Sequence, residues 1–221
     1  ALLSDTGAMI SVDGRRGMGQ SVTFQAMELA IARARQHGVC VMGLRNSHHL
    51  GRVGHWAEQA VAAGLVSIHF TNAVSRNPMV SPFGGGQGRF NTNPFTVGIP
   101  RRDGGPIVLD FATSAVAHGK VRVAYNKQVP VPPGCLIDAN GEPTNDPAVM
   151  FEPAGGPHGA LQPFARHKGY ALSMVCELLG AALTGGETTQ PANMPNKFAV
   201  WNNMLAIVFD PARISGSEGF E

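Results

Sequence analysis

An apolar run from Val39 to Leu44 reads as a buried strand, and it is held between two stretches of helical periodicity. Upstream, Phe24, Met27, Ala30, Ile31 and Ala34 form one apolar face on a helix that opens at Ser21, a suitable cap, and stops at His37-Gly38. Downstream, Trp56, Ala57, Ala60 and Val61 recur at helical spacing until Gly64, and Leu65 to Phe70 supplies another strand. Ala8 to Val12 is a short strand ending in the turn Asp13-Gly14. The order β-α-β-α-β places three strands beside two helices in one layered sheet.

The second half breaks that regularity. Phe95 to Ile99 and Ile107 to Phe111 are strands joined by a turn over Arg101 to Gly105, a hairpin and therefore antiparallel. A sheet with both parallel and antiparallel neighbours is expected, which counts against a pure doubly wound fold. Asp110 leads through Ala112-Thr113-Ser114 into a helix reaching Ala124, and Lys168 to Leu183 is a long helix with Leu172, Val175, Leu178, Leu179 and Ala182 on its apolar side. Asn202-Asn203 precede a last strand from Met204 to Phe209, and the chain stops at Glu221 without an obvious terminating element.

With 221 residues, 43% of them hydrophobic and 14% charged, the chain can bury one sizeable core, with room for a small appended lobe. A formal net charge of +2 and scattered Lys and Arg give no basic stripe for nucleic acid. No apolar run reaches the roughly 18 to 20 residues that span a bilayer, and no basic segment followed by an apolar one opens the chain. Cys40, Cys135 and Cys176 are odd in number and far apart, so they read as buried free thiols in a reducing compartment, and the expected location is cytoplasmic. Glycine and proline concentrate in 77–105, 129–159 and 185–195, marking long connections of the kind that carry function.

The stretch with most chemistry is Asn46-Ser47-His48-His49-Leu50-Gly51-Arg52, a polar cluster at the strand-to-helix junction after Leu44. An imidazole there transfers protons near neutral pH, because histidine's ordinary pKa is about 6.5. His49 is the candidate acid/base; His48 points the opposite way on an extended segment and reads as structural. His48, His49 and His55 together do not make a zinc site, since adjacent histidines diverge and no carboxylate stands at ligand spacing. Arg52 either meets a substrate carboxylate or is an exposed arginine at a helix start. Thr92 and Asn93 either touch substrate or close a turn, and Asp110 is either a catalytic or ribose partner or a cap for the following helix. At the start of the long helix, Lys168 adds a cation to unpaired backbone N–H groups that favour anions. Before Gly14, Gly17 and Gly19 the sequence shows no strong strand in a βαβ context, and no acidic residue follows at the distance a dinucleotide loop needs, so they read as a glycine-rich turn entering a helix.

Several motifs in order resemble one family across nearly the whole chain. They are Asn46-Ser47-His48-His49-Leu50-Gly51, Arg89-Phe90-Asn91-Thr92-Asn93-Pro94, Leu109-Asp110-Phe111-Ala112-Thr113-Ser114 with Gly119-Lys120, Asp138 to Pro147, His167-Lys168-Gly169-Tyr170 and Asn202-Asn203-Met204. The family is that of the malate/L-lactate dehydrogenase-like NAD(P)-dependent 2-hydroxyacid oxidoreductases, distinct from the Rossmann-fold lactate dehydrogenases. The resemblance implies an α/β fold with a mixed, predominantly antiparallel sheet flanked by helices, a bound NAD or NADP, a small 2-hydroxy or 2-keto acid as substrate, and a homodimer. It implies His49 as proton donor or acceptor and Ile107, Val108, Leu109, Asp110, Phe111, Ala112, His167 and Lys168 at the cofactor; Ser47, Arg52 and Asn93 stand beside these as the candidate substrate residues. Asn91 stands where the family has glycine, a turn position that asparagine tolerates. The chain reads as a single cofactor-binding and catalytic domain, 1–221, without the family's N-terminal helical segment, which carries a Ser-His-Gly and an arginine, or its C-terminal extension. The expected activity is hydride transfer between NAD(P) and such an acid. The competing expectations are a catalytically incompetent remnant that keeps cofactor binding or dimerisation and, further behind, a metal hydrolase on His48, His49 and His55.

Overall fold

The structure, a computed structural model, describes residues 1–154, 156–190, 192 and 199–216. In chain order the elements are β1 (Leu2–Asp5), β2 (Met9–Asp13), α1 (Gly19–His37), β3 (Val39–His48), α2 (Gly54–Ala62), β4 (Val66–Ser75), β5 (Phe95–Ile99), β6 (Ile107–Phe111) and α3 (His118–Lys127). There follow β7 (Leu136–Ile137), β8 (Pro143–Thr144), a 3-10 turn Pro147–Met150, β9 (Ala160–Leu161), α4 (His167–Glu177) running into a π-helical turn Leu178–Ala182, β10 (Val200–Phe209) and α5 (Ala212–Ser215).

Seven strands make one sheet in the order β1-β2-β3-β10-β4-β5-β6. β2 and β3 are parallel, joined by the crossover α1, and the other neighbouring pairs are antiparallel. The fold is therefore α/β with a mixed, mostly antiparallel sheet. Alternation along the central strands sends Cys40, Met42 and Leu44 of β3 and Met204, Ala206 and Val208 of β10 to one face, where Ala26, Met27, Ala30 and Ala34 of α1 and Trp56 and Ala60 of α2 bury them. Each such large side chain contributes about 1.5–3 kcal/mol on burial. The opposite face carries the π-helical turn, pressed so close that a Cβ on Gly180 would stand 2.8 Å from the carbonyl oxygen of Phe70. A smaller apolar cluster forms around Val80, Val121, Leu136, Met150 and Leu161, roofed by α3 and the short sheet β8-β7-β9.

Of the boundaries that differ from the sequence expectation, four bear on the candidate site. β3 continues past Leu44 to His48, β4 past Phe70 to Ser75, and β10 begins at Val200 rather than Met204. Each extension carries buried or half-buried polar side chains that bond neighbouring strands, Asn46, Asn72, Asn202 and Asn203 among them, a partnership that hydrophobic periodicity does not register. The helix expected to follow Ser114 directly begins only at His118, because Ala115 N–H is committed to the carbonyl of Gln162.

All three cysteines are free and buried, and burial pushes the Cys40 and Cys176 thiols up to about 11 and about 12. On β4, His69 is fully buried with Nε2 2.9 Å from Ser67 Oγ, and burial pushes its pKa down to about 4. The folded chain thus holds His69 neutral while the unfolded chain binds a proton near the ordinary 6.5. Because the unfolded state binds more protons, stability is expected to fall as pH drops from about 6.5 to about 4, by on the order of 3 kcal/mol from this residue. Urea midpoints across that range check it. His69→Gln should flatten the slope, and a pH-independent midpoint in the parent would contradict a buried neutral imidazole.

Candidate active site

The polar end of β3 is shaped by a bulge. Between the pairs Leu44–Met204 and Ser47–Asn202, β3 carries one residue more than β10, and Asn46 takes up the difference at φ 54°. Asparagine is among the side chains that enter this region readily. The amide of Asn203 accepts the Asn46 N–H at 2.8 Å and donates to Asn72 Oδ1 at 2.8 Å. Asn202 Oδ1 accepts the Leu50 N–H at 2.9 Å while its Nδ2 donates to the Asn72 carbonyl at 2.8 Å. These buried amides fix where the chain leaves the sheet. The junction proper is therefore 49–53, with Asn46, Ser47 and His48 still in the strand.

The glycine-rich turn before α1 packs on this strand end. A Cβ on Gly19 would sit 2.1 Å from the His49 carbonyl oxygen and one on Gly14 2.9 Å from that of Asn46. His48 N–H donates to Gly17 O at 3.1 Å. The glycines serve close backbone approach, in line with their reading as a turn entering a helix.

The two histidines part company as their alternation requires. His48 packs its ring against Trp201, centroids 4.4 Å apart, with the Arg16 guanidinium 4.7 Å from the same indole. His49 turns instead into the junction, where its Nδ1 accepts the Gly51 N–H at 3.0 Å, an amide presented by a left-handed glycine at φ 79°. Burial lowers the His49 pKa from the ordinary histidine value, with no charged neighbour adding to the shift.

Arg52 lies next along the junction, 58% exposed, with its fork on Glu58: Nη1 to Oε1 at 2.9 Å and Nη2 to Oε2 at 2.6 Å. Asp110 reaches the same place from β6. Its Oδ2 accepts the Gly54 N–H at 2.9 Å, and its Oδ1 accepts the Thr96 hydroxyl at 2.9 Å. Asp110 is thus a cap, but for α2 from a neighbouring strand rather than for the helix that follows it. Beside it, Gln20 and Phe24 of α1 face Gly51, Arg52, His55 and Trp56 across an open cleft of about 710 Å³. Among the described residues no group of three metal-ligating side chains converges.

β6 lies between the two groups of candidate residues. Asp110 faces α2, whereas Phe111 points the other way and packs its ring 5.2 Å from that of Phe164, at the turn leading into α4. His49 and the amino end of α4 consequently belong to opposite faces of the sheet but to the same end of it, with β6 between. Ile107 and Leu109 on this edge strand are 51% and 46% exposed. Arg166, His167 and Lys168 are exposed at the head of α4. The N–H groups of Lys168 and Gly169 already donate to the carbonyls of Ala165 and Phe164. The sequence expectation of unpaired N–H groups is therefore not met at Lys168 and Gly169, and what the head of α4 offers an anion there is side-chain charge and the helix dipole.

The sequence profile of the malate/L-lactate dehydrogenase family matches residues 1–221. The chain belongs to that family. It is 53% identical over 210 residues to hydroxycarboxylate dehydrogenase B of Escherichia coli K12, covering 95% of this chain and 57% of that protein. It is 49% identical over 210 residues to an L-lactate dehydrogenase of Cupriavidus necator, covering 94% and 59%. A solved E. coli structure assigned provisionally as a malate/lactate dehydrogenase superposes with a TM-score of 0.94 at 51% identity, over 99% of this chain and 60% of that one. The chain thus spans about three-fifths of the length of these relatives.

Two expected substrate residues of this dehydrogenase-family chain lie inside the protein. Ser47 is fully buried, its Oγ unpartnered among protein atoms. Asn93 is fully buried, with Oδ1 accepting the Ala73 N–H at 3.1 Å and Nδ2 donating to Ser173 O at 3.2 Å and Glu177 Oε2 at 2.9 Å. Of its two readings, this geometry is that of the turn-closing one. Sequence reasoning missed Asn72, Glu177 and Trp201, which hold the frame; the sole signal was Trp201's place beside Asn202-Asn203. Asn93→Ala is expected to lower stability by about 2–3 kcal/mol in urea, since it orphans a buried N–H and strips a donor from a buried carboxylate. An unchanged urea midpoint with a raised substrate KM would instead make Asn93 a substrate ligand.

Proposed function

We propose that this chain carries the catalytic junction of a 2-hydroxyacid dehydrogenase, exchanging a hydride between NAD or NADP and a small 2-hydroxy or 2-keto acid of the malate or lactate type. The observation that supports the reading most is His49: an imidazole of lowered pKa, oriented by the Gly51 amide, on a junction braced by Asn202 and followed by Arg52. Such a residue is suited to hold or move a proton at the substrate oxygen. Arg52 would meet the substrate carboxylate, bidentate as it now meets Glu58.

The residues present fit a nicotinamide nucleotide. Ile107, Val108, Leu109, Phe111 and Ala112 give an apolar strand edge for its rings, and His167 and Lys168 stand with Arg166 as cations or donors for its phosphates. When bound, that group supplies the hydride acceptor or donor; the chain supplies position, charge and the proton. Asp110 keeps the start of α2, and with it Arg52, in register with β6. Ser47 enters this proposal as a buried support under the histidines rather than by contact. A homodimer is supported by the family resemblance and by Leu178 and Leu183, 53% and 65% exposed. Cytoplasmic placement is supported by three unpaired cysteines.

A second reading, a family member that keeps the cofactor or the dimer contact without turnover, is favoured by the half-exposed Ile107 and Leu109, which lie on the face of β6 that carries Phe111, away from the His49 junction. NADH and NADPH titrations followed by nicotinamide fluorescence, together with oxidation of malate and lactate, separate the two. The first reading expects saturable binding and turnover, with His49→Ala lowering kcat by about 10²–10⁴-fold while nucleotide binding persists. Binding without turnover selects the second reading, and no binding of either nucleotide rejects both.

A further inference from the structure

On the side of the sheet away from α1 and α2, strand pairing sets Met9, Val41, Ile207, Ile68, Val97 and Leu109 in one rung across six strands. None of the six is buried, and Met9 at its outer end is 60% exposed. The rung beyond, from Val39 and Phe209 to Ile99 and Ile107, is apolar as well. An antiparallel sheet that turns one face to water carries polar side chains there, so a face of this composition is built to be covered. α4 and its π-helical turn cover only the rung on the other side: Phe164, just before α4, meets Phe111 of β6, Gly180 lies on Phe70 of β4, and Thr184 lies on Gly43 of β3. The helix thus runs across the strands, and an apolar trough lies open beside it.

α4 shows the complementary feature. Its inner side carries Ser173, Cys176 and Glu177, whereas Met174, Val175, Leu178 and Leu183 are exposed on the outside. Val175 and Leu178, which periodicity assigns to the apolar side of this helix, therefore point away from their own sheet. The sizes agree. Eleven residues of α4 and five of the π-helical turn run for about 24 Å, and six strands at a spacing of about 4.8 Å span about 24 Å. A helix roughly 10 Å across rests on two rungs about 7 Å apart.

We infer that the trough beside α4 seats the α4 of a second copy of this chain, so that in a two-fold dimer each α4 lies between its own sheet and its partner's. That the partner is a second copy rests on the homodimer proposed above; where it sits rests on the two uncovered faces. The contact closes on itself, because each chain gives one helix and receives one. Its trough ends at Leu109 and Ile107, so the partner's helix borders the strand proposed for the nucleotide.

The test is the mass of the full chain by light scattering, in the parent and in two variants made separately, Leu178→Lys on the helix and Ile68→Glu on the sheet. The parent should have twice the mass of one chain. Each variant places an unpaired charge in the contact and should raise the dissociation constant at least about 100-fold. Both side chains are part-exposed in the single chain, so circular dichroism should stay that of the parent; should Ile68→Glu unfold, Leu109→Glu on the same rung replaces it. An equimolar mixture of the two variants should dimerise again, since in the mixed pair one contact sets Lys against Glu and the other is unaltered. A monomeric parent overturns this inference together with the homodimer. A dimer indifferent to both substitutions keeps the homodimer and overturns its placement. So does a dimer broken by Leu178→Lys but not by Ile68→Glu, the mark of helices meeting each other, and so do two dissociated variants that stay apart when mixed.

Discussion

Everything at the junction end of this molecule depends on a small set of buried amides bonded to one another. Asn72 on β4 and Asn202 and Asn203 on β10 carry polar side chains into a region from which water is excluded, and each finds its partners on neighbouring strands. Left unmatched, each such group would cost about 1–3 kcal/mol, so the arrangement is close to all-or-none. What it specifies is a direction. The Asn203 side chain receives the backbone of Asn46 at the bulge in β3, and the Asn202 side chain receives that of Leu50 as the chain turns away. His49 lies between these two fixed points.

The same logic extends outward in shells of decreasing burial. A glycine-rich turn presses on the strand end because Gly14 and Gly19 have no side chain to hold it off. Trp201 and His48 close the other side as a pair of rings in tilted contact. α2, whose first turn follows Arg52, is capped by Asp110 from β6, and this ties the histidine junction to the open edge of the sheet. Because side chains alternate along β6, the strand that holds α2 with one residue meets the turn before α4 with the next. A ligand spanning both faces at this end of the sheet would have β6 as its floor.

Much of this was legible in the sequence, and the parts that were not share a cause. Periodicity finds elements by their apolar sides, so the interiors of β3, β4 and β10 and the inward face of α1 stood out as Met42, Leu44, Met204, Val208, Met27 and Ala30. It is blind to strand residues such as Asn46, Asn72 and Asn202, whose burial is made tolerable by each other. The order of strands was equally hidden, because β10 enters the centre of the sheet from the far end of the chain. Individual roles followed suit. Asp110 was recognisable as a cap by residue type, but its helix could be named only once β6 and α2 were neighbours. Asn93 stood open between touching substrate and closing a turn, and its side-chain partners, a strand, a helix carbonyl and the buried Glu177, are those of the second.

The central claim is that buried asparagines, rather than the local sequence of the junction, hold the His49 turn. Amide hydrogen exchange tests it in the parent chain and in Asn202→Leu, a change of similar size that deletes the acceptor of the Leu50 N–H. In the parent, the Leu50 amide should be protected to a degree comparable with amides in the middle of β10. In the variant, protection should collapse at Leu50 and Gly51 while the β10 centre, around Ala206, stays slow. Unaltered exchange at Leu50 and Gly51 in a folded variant would contradict the account, because the turn would then be standing without the support assigned to it.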